Sequence, residues 1–191
     1  MANANAPRGL IPLRHNSGAS IVQNEYTIAS AYGFNIFRGD PVMLTGTGNN
    51  IQLAVGTAGT PTVQGIGVFA GCTWTDSTGK FNFSKYWPAS TVSSDAKALV
   101  WDDPNIVFEA QSLSFALNDL GALVDFTAAA GSTKTGYSGA YLDSTTGTAD
   151  KTFRLLRLID RPYNAVGAYA KVECIYIEHA FKGVIAGVGG V

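Results

Sequence analysis

Two adjacent carboxylates, Asp102 and Asp103, sit between Trp101 and Pro104 in the stretch ALVWDDPNIVFEAQ. Paired acids beside an aromatic ring are the raw material of glycoside hydrolysis or of a cation site. The spacing argues against both. Hydrolytic carboxylate pairs lie roughly 5–10 Å apart across a cleft and normally come from separate segments. Calcium sites space their oxygen ligands along a loop. Asp-Asp-Pro-Asn is a run of turn formers between two apolar runs, and Pro presets φ for a turn. The sequence therefore predicts a hairpin here. Asp102 and Asp103 cap its turn, and Trp101 and Phe108 anchor its flanks.

The remaining chemical candidates are no better assembled. His15 lies near the start of the chain. His179 follows Glu178 in KVECIYIEHAF. On a strand, neighbours point to opposite faces, so Glu178 cannot orient His179 as a catalytic dyad requires. Cys174 shares a face with Val172 and Tyr176 and reads as a buried thiol. With Cys72 it makes neither a disulfide framework nor a zinc pattern. GIGVFA, residues 65–70, matches a loose G-x-G-x-x-A. That fingerprint needs a following helix and an acid about 20 residues on. Here VFAGCTWT continues as strand and no acid stands near position 87. The glycines read instead as places where another backbone comes close. The expectation is a protein that is not an enzyme and holds no cofactor and no metal.

Tyr86, Trp87 and Pro88 stand together in FSKYWPAS. Exposed, they could stack on a sugar; buried, they plug a core, and the core reading is preferred. Arg154 and Arg157 are three apart, so on a strand they face opposite sides. With Arg161 they read as strand residues with interfacial salt bridges. Residues 95–125 carry six acids against one base, and residues 151–191 carry six bases against three acids. That polarity could set the register of identical subunits, or simply be solvated charge.

The elements that must position these residues are short. TGTGNN, GTAGTPT, DSTGK, GSTKTGYSG and DSTTGTAD read as turns, because Gly supplies positive φ and Asn, Asp and Ser bond their own backbone. Between them lie DPVMLT, NIQLAV, GIGVFAGCTWT, FNFSKYW, KALVWD, NIVFEAQ, FRLLRLID and KVECIYIEHAF, rich in Val, Ile and aromatics. This pattern predicts an all-β fold, a compact barrel or sandwich. At most one short helix is expected, in SLSFALNDL, where Leu113, Ala116, Leu117 and Leu120 keep helical spacing before Gly121. A strand from Leu123 to Phe126 should follow it.

Residues 1–24 show no periodicity and read as an extended arm that needs another surface. Residues 25–181 form the single domain. Residues 182–191, KGVIAGVGGV, form an apolar Gly-rich tail that inserts into a neighbour or folds back. The 191 residues suit one domain with extended ends. Charged residues are only 14% and net charge is −1. So sparse a surface fits a protein covered by partners, and the charge offers nothing to nucleic acid. No leader peptide is read at the start and no apolar run reaches the roughly 20 residues of a membrane helix, so a reducing cytoplasm is the expected place of synthesis. Asn82-Phe83-Ser84 is a glycosylation acceptor by pattern only.

Several segments together resemble a family of tailed-phage virion proteins encoded near the major capsid gene. They are MANANAPRGLIPLRHN, GDPVMLTG, GIGVFAGCTWTDSTGKFNFSKYWPAS, VWDDPNIVFEAQ and LRLIDRPYNAVGAYAKVECIYIEHAF. The family is that of head decoration, or cement, proteins. The resemblance implies a β-rich protein on the outer surface of an icosahedral head, partnered by the major capsid protein and by itself, as homotrimers at threefold positions. Arg8, Leu10, Ile11, Leu13 and Arg14 in the arm are then the candidate capsid or intersubunit contacts. The runner-up readings are a head- or tail-fibre component and a glycan-binding adhesion module.

Overall fold

A computed structural model describes residues 3–54, 65–147 and 151–182. The fold is all-β: sixteen strands and a single 3-10 turn, Leu117–Asp119, among the described residues. Five strands close a barrel: β2 (Asn24–Ile28), β4 (Pro41–Leu44), β5 (Asn50–Leu53), β6 (Gly67–Thr75) and β9 (Lys97–Trp101). They run in the order β4-β5-β2-β9-β6, and β6 returns to β4 through Pro41↔Val68 and Val42↔Gly67. Only β2 and β5 are parallel; the other barrel pairs are antiparallel. β6 is nine residues long. Its first residues close the barrel, and its last four pair with β7 (Phe81–Ser84), Cys72 and Thr73 while still paired to β9, and Trp74 and Thr75 beyond it.

The second layer is an antiparallel sheet in the order β1-β10-β16-β14-β12-β13. Its strands are β1 (Ile11–His15), β10 (Ile106–Gln111), β12 (Leu123–Thr127), β13 (Tyr141–Gly147), β14 (Phe153–Leu158) and β16 (Lys171–Tyr176). Two small ribbons complete the structure: β3 (Ile36–Phe37) with β8 (Tyr86–Trp87), and β11 (Ser114–Phe115) with β15 (Gly167–Ala168).

Two cores result, and β6 is the wall between them. Phe69, Cys72 and Trp74 point into the barrel with Ile36, Val42, Ile51, Trp87 and Val100. Val68 and Ala70 point the other way, onto Phe108, Phe126, Phe153, Val172, Cys174 and Tyr176 of the open sheet. Both faces of β6 are buried, and the alternation is shifted by one residue at a bulge between Phe69 and Gly71, so that Phe69 and Cys72 share the barrel side. Gly67 is where that wall meets β9. Its φ is +150°, and a Cβ there would lie 2.1 Å from the Trp101 carbonyl oxygen. GIGVFA is thus a strand with a close backbone approach, as its glycines imply.

The hairpin expected around Asp102 is absent. β9 belongs to the barrel and β10 to the open sheet, so residues 102–105 turn a corner between layers. The cause lies in the two acids themselves. Adjacent residues face opposite ways, and here each is held by a different layer, as described below. DSTTGTAD is also not a turn at its start: Asp143–Gly147 continues β13, with Thr146 opposite Val124. Thr is β-branched and suits a pleated edge. In SLSFALNDL the helical spacing yields only the 3-10 turn, with Leu113, Leu117 and Leu120 exposed while Phe115 is buried. Strand alternation governs there. GTAGTPT, the end of DSTTGTAD and the tail beyond Lys182 lie outside the described residues.

The N-terminal arm lies on its own chain. β1 pairs with β10, and Leu10 is 1% exposed in the core beneath the open sheet. Gly9 and Gly39 pack backbone to backbone. A Cβ on Gly9 would lie 2.4 Å from the Gly39 oxygen, and the Leu10 amide donates to that same oxygen at 2.9 Å. Asn3 ties the first residues to Ala165 and Ala168.

Candidate functional site

Asp102 is buried and reaches back to β2. It accepts from the Tyr26 hydroxyl at 2.7 Å and from Asn24 Nδ2 at 2.9 and 3.0 Å. Burial, and then the Asp102 carboxylate beside it, push the Tyr26 phenol well above its ordinary pKa. Asp103 reaches the other way. Its Oδ1 accepts from the Asn105 amide, and its Oδ2 lies 3.0 Å from His15 Nε2 on β1. Partial burial pushes its carboxyl up; the Asn105 amide and the His15 ring outweigh that and hold it below its usual value. The pair is therefore a two-sided rivet: one acid fastens the barrel, its neighbour the open sheet.

The structure adds a third member that sequence spacing hid. Ser17 Oγ lies 2.9 Å from His15 Nδ1, so Ser17, His15 and Asp103 contain the atoms of a serine-histidine-aspartate relay. Their arrangement is that of a turn lock. The Ser17 amide donates to the same Nδ1 at 3.2 Å, and the Gly18 amide closes the turn on the His15 carbonyl. An amide can only donate, so Nδ1 is the acceptor and Nε2 carries the proton that Asp103 receives. The Nδ1 lone pair that a general base would offer to the hydroxyl is shared with a structural bond.

His179 repeats the device. Its Nδ1 accepts from the Phe181 amide at 3.1 Å, its ring meets Tyr176 edge-on, and Nε2 is buried with no hydrogen-bond partner among the described residues. Burial, with the Lys182 charge nearby, lowers its pKa to about 4. Glu178 does not orient this ring through the nitrogen Phe181 occupies. Burial pushes the Cys72 thiol up to about 12 and the Cys174 thiol further, so both are inert as nucleophiles at neutral pH. Cys174, Val172 and Tyr176 do share one buried face.

The opposite charges of residues 95–125 and 151–191 meet inside the chain. Glu109 and Glu173 stand directly opposite each other on β10 and β16. Arg161 clamps Glu109 with bonds of 2.6 and 3.1 Å, and Lys171 lies 3.9 Å away. Arg14 and Arg157 hold the two oxygens of Glu173 at 2.9 and 2.8 Å. Asp125 binds Lys151 at 2.9 Å. Facing carboxylates repel, and four cations around two of them turn that repulsion into a clasp across β1, β10, β16 and β14. Of the five arm residues, Leu10 and Arg14 are thus engaged within the chain. Ile11 is half-buried, while Arg8 is exposed and Leu13 is 37% exposed on the surface.

Trp87 is 0% exposed and packs edge-on against Trp74 at 5.5 Å between centroids. Tyr86 stacks on Phe37. The Tyr86-Trp87 pair therefore offers no ring face of Trp87 to a sugar. Two exposed aromatics lie one strand earlier. Phe81 and Phe83 on β7 are 67% and 68% exposed. β7 is the end strand of its sheet, paired among the described residues to β6 alone. Its hairpin is held rigidly by Asp76, whose carboxylate accepts from the Thr78 hydroxyl and amide, the Lys80 amide and Asn82 Nδ2. Those bonds hold the Asp76 carboxyl down at about 2. The alternation in FNFS carries this face, since Asn82 and Ser84 sit across from buried Trp74 and Cys72 and so point inward.

No protein-family model matches this chain, nor does any curated protein or solved structure. Among the described residues, no group of three or more His, Cys, Asp and Glu side chains is placed to hold a metal ion, and no helix is long and apolar enough to cross a membrane.

Proposed function

We propose that this chain is a head decoration protein of a tailed phage, binding the outer surface of an icosahedral head and cementing neighbouring major capsid subunits as trimers at threefold positions. The observation that carries this reading is the contrast between inside and surface. Five acids, Asp102, Asp103, Glu109, Asp125 and Glu173, are held in internal rivets and clasps, while among the described residues twelve large hydrophobic side chains stay more than a third exposed on a chain with only 14% charged residues. A surface so sparse in charge favours cover by partners. The contact residues in the first segment are Arg8, Ile11 and Leu13, the three of the five that lie outside the core clusters and the clasp; Arg8 lies over the Tyr137 ring on the surface.

The mechanism is linkage. A protein that binds only the assembled lattice stabilises it, by about 2.7 kcal/mol per site at 100 times its dissociation constant. Three linked attachments raise the effective concentration of the second and third. The layered, riveted fold suits the task, because a rigid clamp loses little entropy on binding. Heating undecorated, DNA-filled heads with and without the protein tests this. The reading expects DNA release at a higher temperature when the protein is present. Release at the same temperature, at saturating protein, rejects it.

A further inference from the structure

We infer that β7 pairs with β7 of a second copy across a two-fold axis, joining two barrels into one continuous sheet. The inference is independent of the decoration reading.

The hairpin register decides which backbone groups face outward. The Asp76 amide donates to the Lys80 carbonyl, so that pair is hydrogen-bonded. Antiparallel pairs alternate between bonded and non-bonded. Thr75↔Phe81 and Thr73↔Phe83 are then non-bonded pairs, and Trp74↔Asn82 is bonded. The Thr75 amide agrees, since it turns away from β7 to donate to Asp95. Phe81 and Phe83 therefore present their amides and carbonyls to the open edge. Just beyond, the Lys85 carbonyl is taken by the Arg38 amide. The open template is two residues' worth of donors and acceptors, centred on Asn82.

One antiparallel register satisfies all of them with an identical strand. It sets Phe81 opposite Phe83 of the second copy, Phe83 opposite Phe81, and Asn82 on the axis. Both phenylalanine pairs are hydrogen-bonded pairs, which completes four backbone bonds. Opposite residues share a face, so the four rings come together. Lys80 falls opposite Ser84 rather than another lysine, so no like charges meet. An exposed, flat edge with apolar side chains is what soluble proteins ordinarily block with charge, proline or a bulge; FNFS has none of these within the strand. The Asp76-locked turn presents it preformed.

Four phenylalanines of about 200 Å² each, exposed by about two thirds, bring roughly 500 Å² to the contact, below the roughly 1,200 Å² of a standard interface. The pair is accordingly a reversible one. On a decorated head it would tie neighbouring trimers together.

The full-length chain with Asn82→Cys tests this. A non-bonded antiparallel pair brings Cα atoms to about 4.5 Å, within disulfide range. Mild oxidation is expected to cross-link it, with the parent chain as a blank because Cys72 and Cys174 are buried. Lys80→Cys should not cross-link to itself, but should cross-link when mixed with Cys72→Ala/Ser84→Cys, in which the thiol directly opposite residue 84 in the same chain has been removed. That mixed pair also serves if Asn82→Cys fails to fold. Phe81→Ser/Phe83→Ser should halve the sedimentation-equilibrium mass at high concentration with an unchanged circular-dichroism spectrum. No cross-link at 82 and none in the mixture, an equal yield from Lys80→Cys alone, or a mass indifferent to the two phenylalanines each overturns the inference.

Discussion

Stability between pH 4 and 6.5 should be governed by two buried groups that work against each other. Asp40 is buried, and burial pushes its pKa from 3.8 up to about 6 despite bonds from Ser138 and the Phe37 amide. His179 is buried and falls from 6.5 to about 4. Between pH 4 and 6 the folded chain binds a proton at Asp40 that the unfolded chain has lost, so this group lowers stability as pH rises. Over the same range the unfolded chain binds a proton at His179 that the folded chain refuses, so that group raises stability as pH rises. At about 1.4 kcal/mol per unit, the two shifts are worth roughly 3 kcal/mol each, with opposite sign. Asp40→Asn keeps an acceptor for Phe37, and His179→Asn keeps one for Phe181. Urea unfolding at half-unit steps should show the stability of Asp40→Asn, relative to the parent, rising by about 3 kcal/mol from pH 4 to 6. The relative stability of His179→Asn should fall by a similar amount from pH 4 to 6.5. The double variant should regain the parent's slope. A flat difference profile for either single variant refutes the assignment of that group.

Two further substitutions probe the architecture. Gly67→Ala drives a Cβ into the Trp101 carbonyl at the seam where β4, β6 and β9 close the barrel; a loss of at least ~4 kcal/mol is expected, read as a collapse of the thermal midpoint. Tyr26→Phe removes the 2.7 Å donor to buried Asp102 and should cost about 1–3 kcal/mol, lowering the midpoint by several degrees while leaving the far-ultraviolet spectrum intact.

The strands were legible because their chemistry is local. Val, Ile and aromatic runs between Gly- and Asn-rich turns gave β4, β5, β6, β9, β10, β14 and β16, and G-I-G marked the close approach at Gly67. Closure was not legible. Nothing in KALVW or IVFEAQ states that consecutive strands enter different layers, because that depends on partners 78 and 88 residues away, Asn24 for Asp102 and His15 for Asp103. β1 was hidden for the same reason. IPLRH contains Pro12 and lacks alternation, and it becomes a strand by lying on β10. The exposed face of β7 was half visible. FNFS reads as a strand, but which of its faces is outward follows only from Cys72 and Trp74 across the hairpin.

Co-sedimentation of the purified full chain with expanded heads that lack it, using unexpanded procapsids as the control, tests the decoration account most directly. The account predicts saturable binding to expanded heads, at a stoichiometry of three chains per threefold position, and weaker binding to procapsids. Absence of binding to expanded heads, or equal unsaturable binding to both particles, would contradict it.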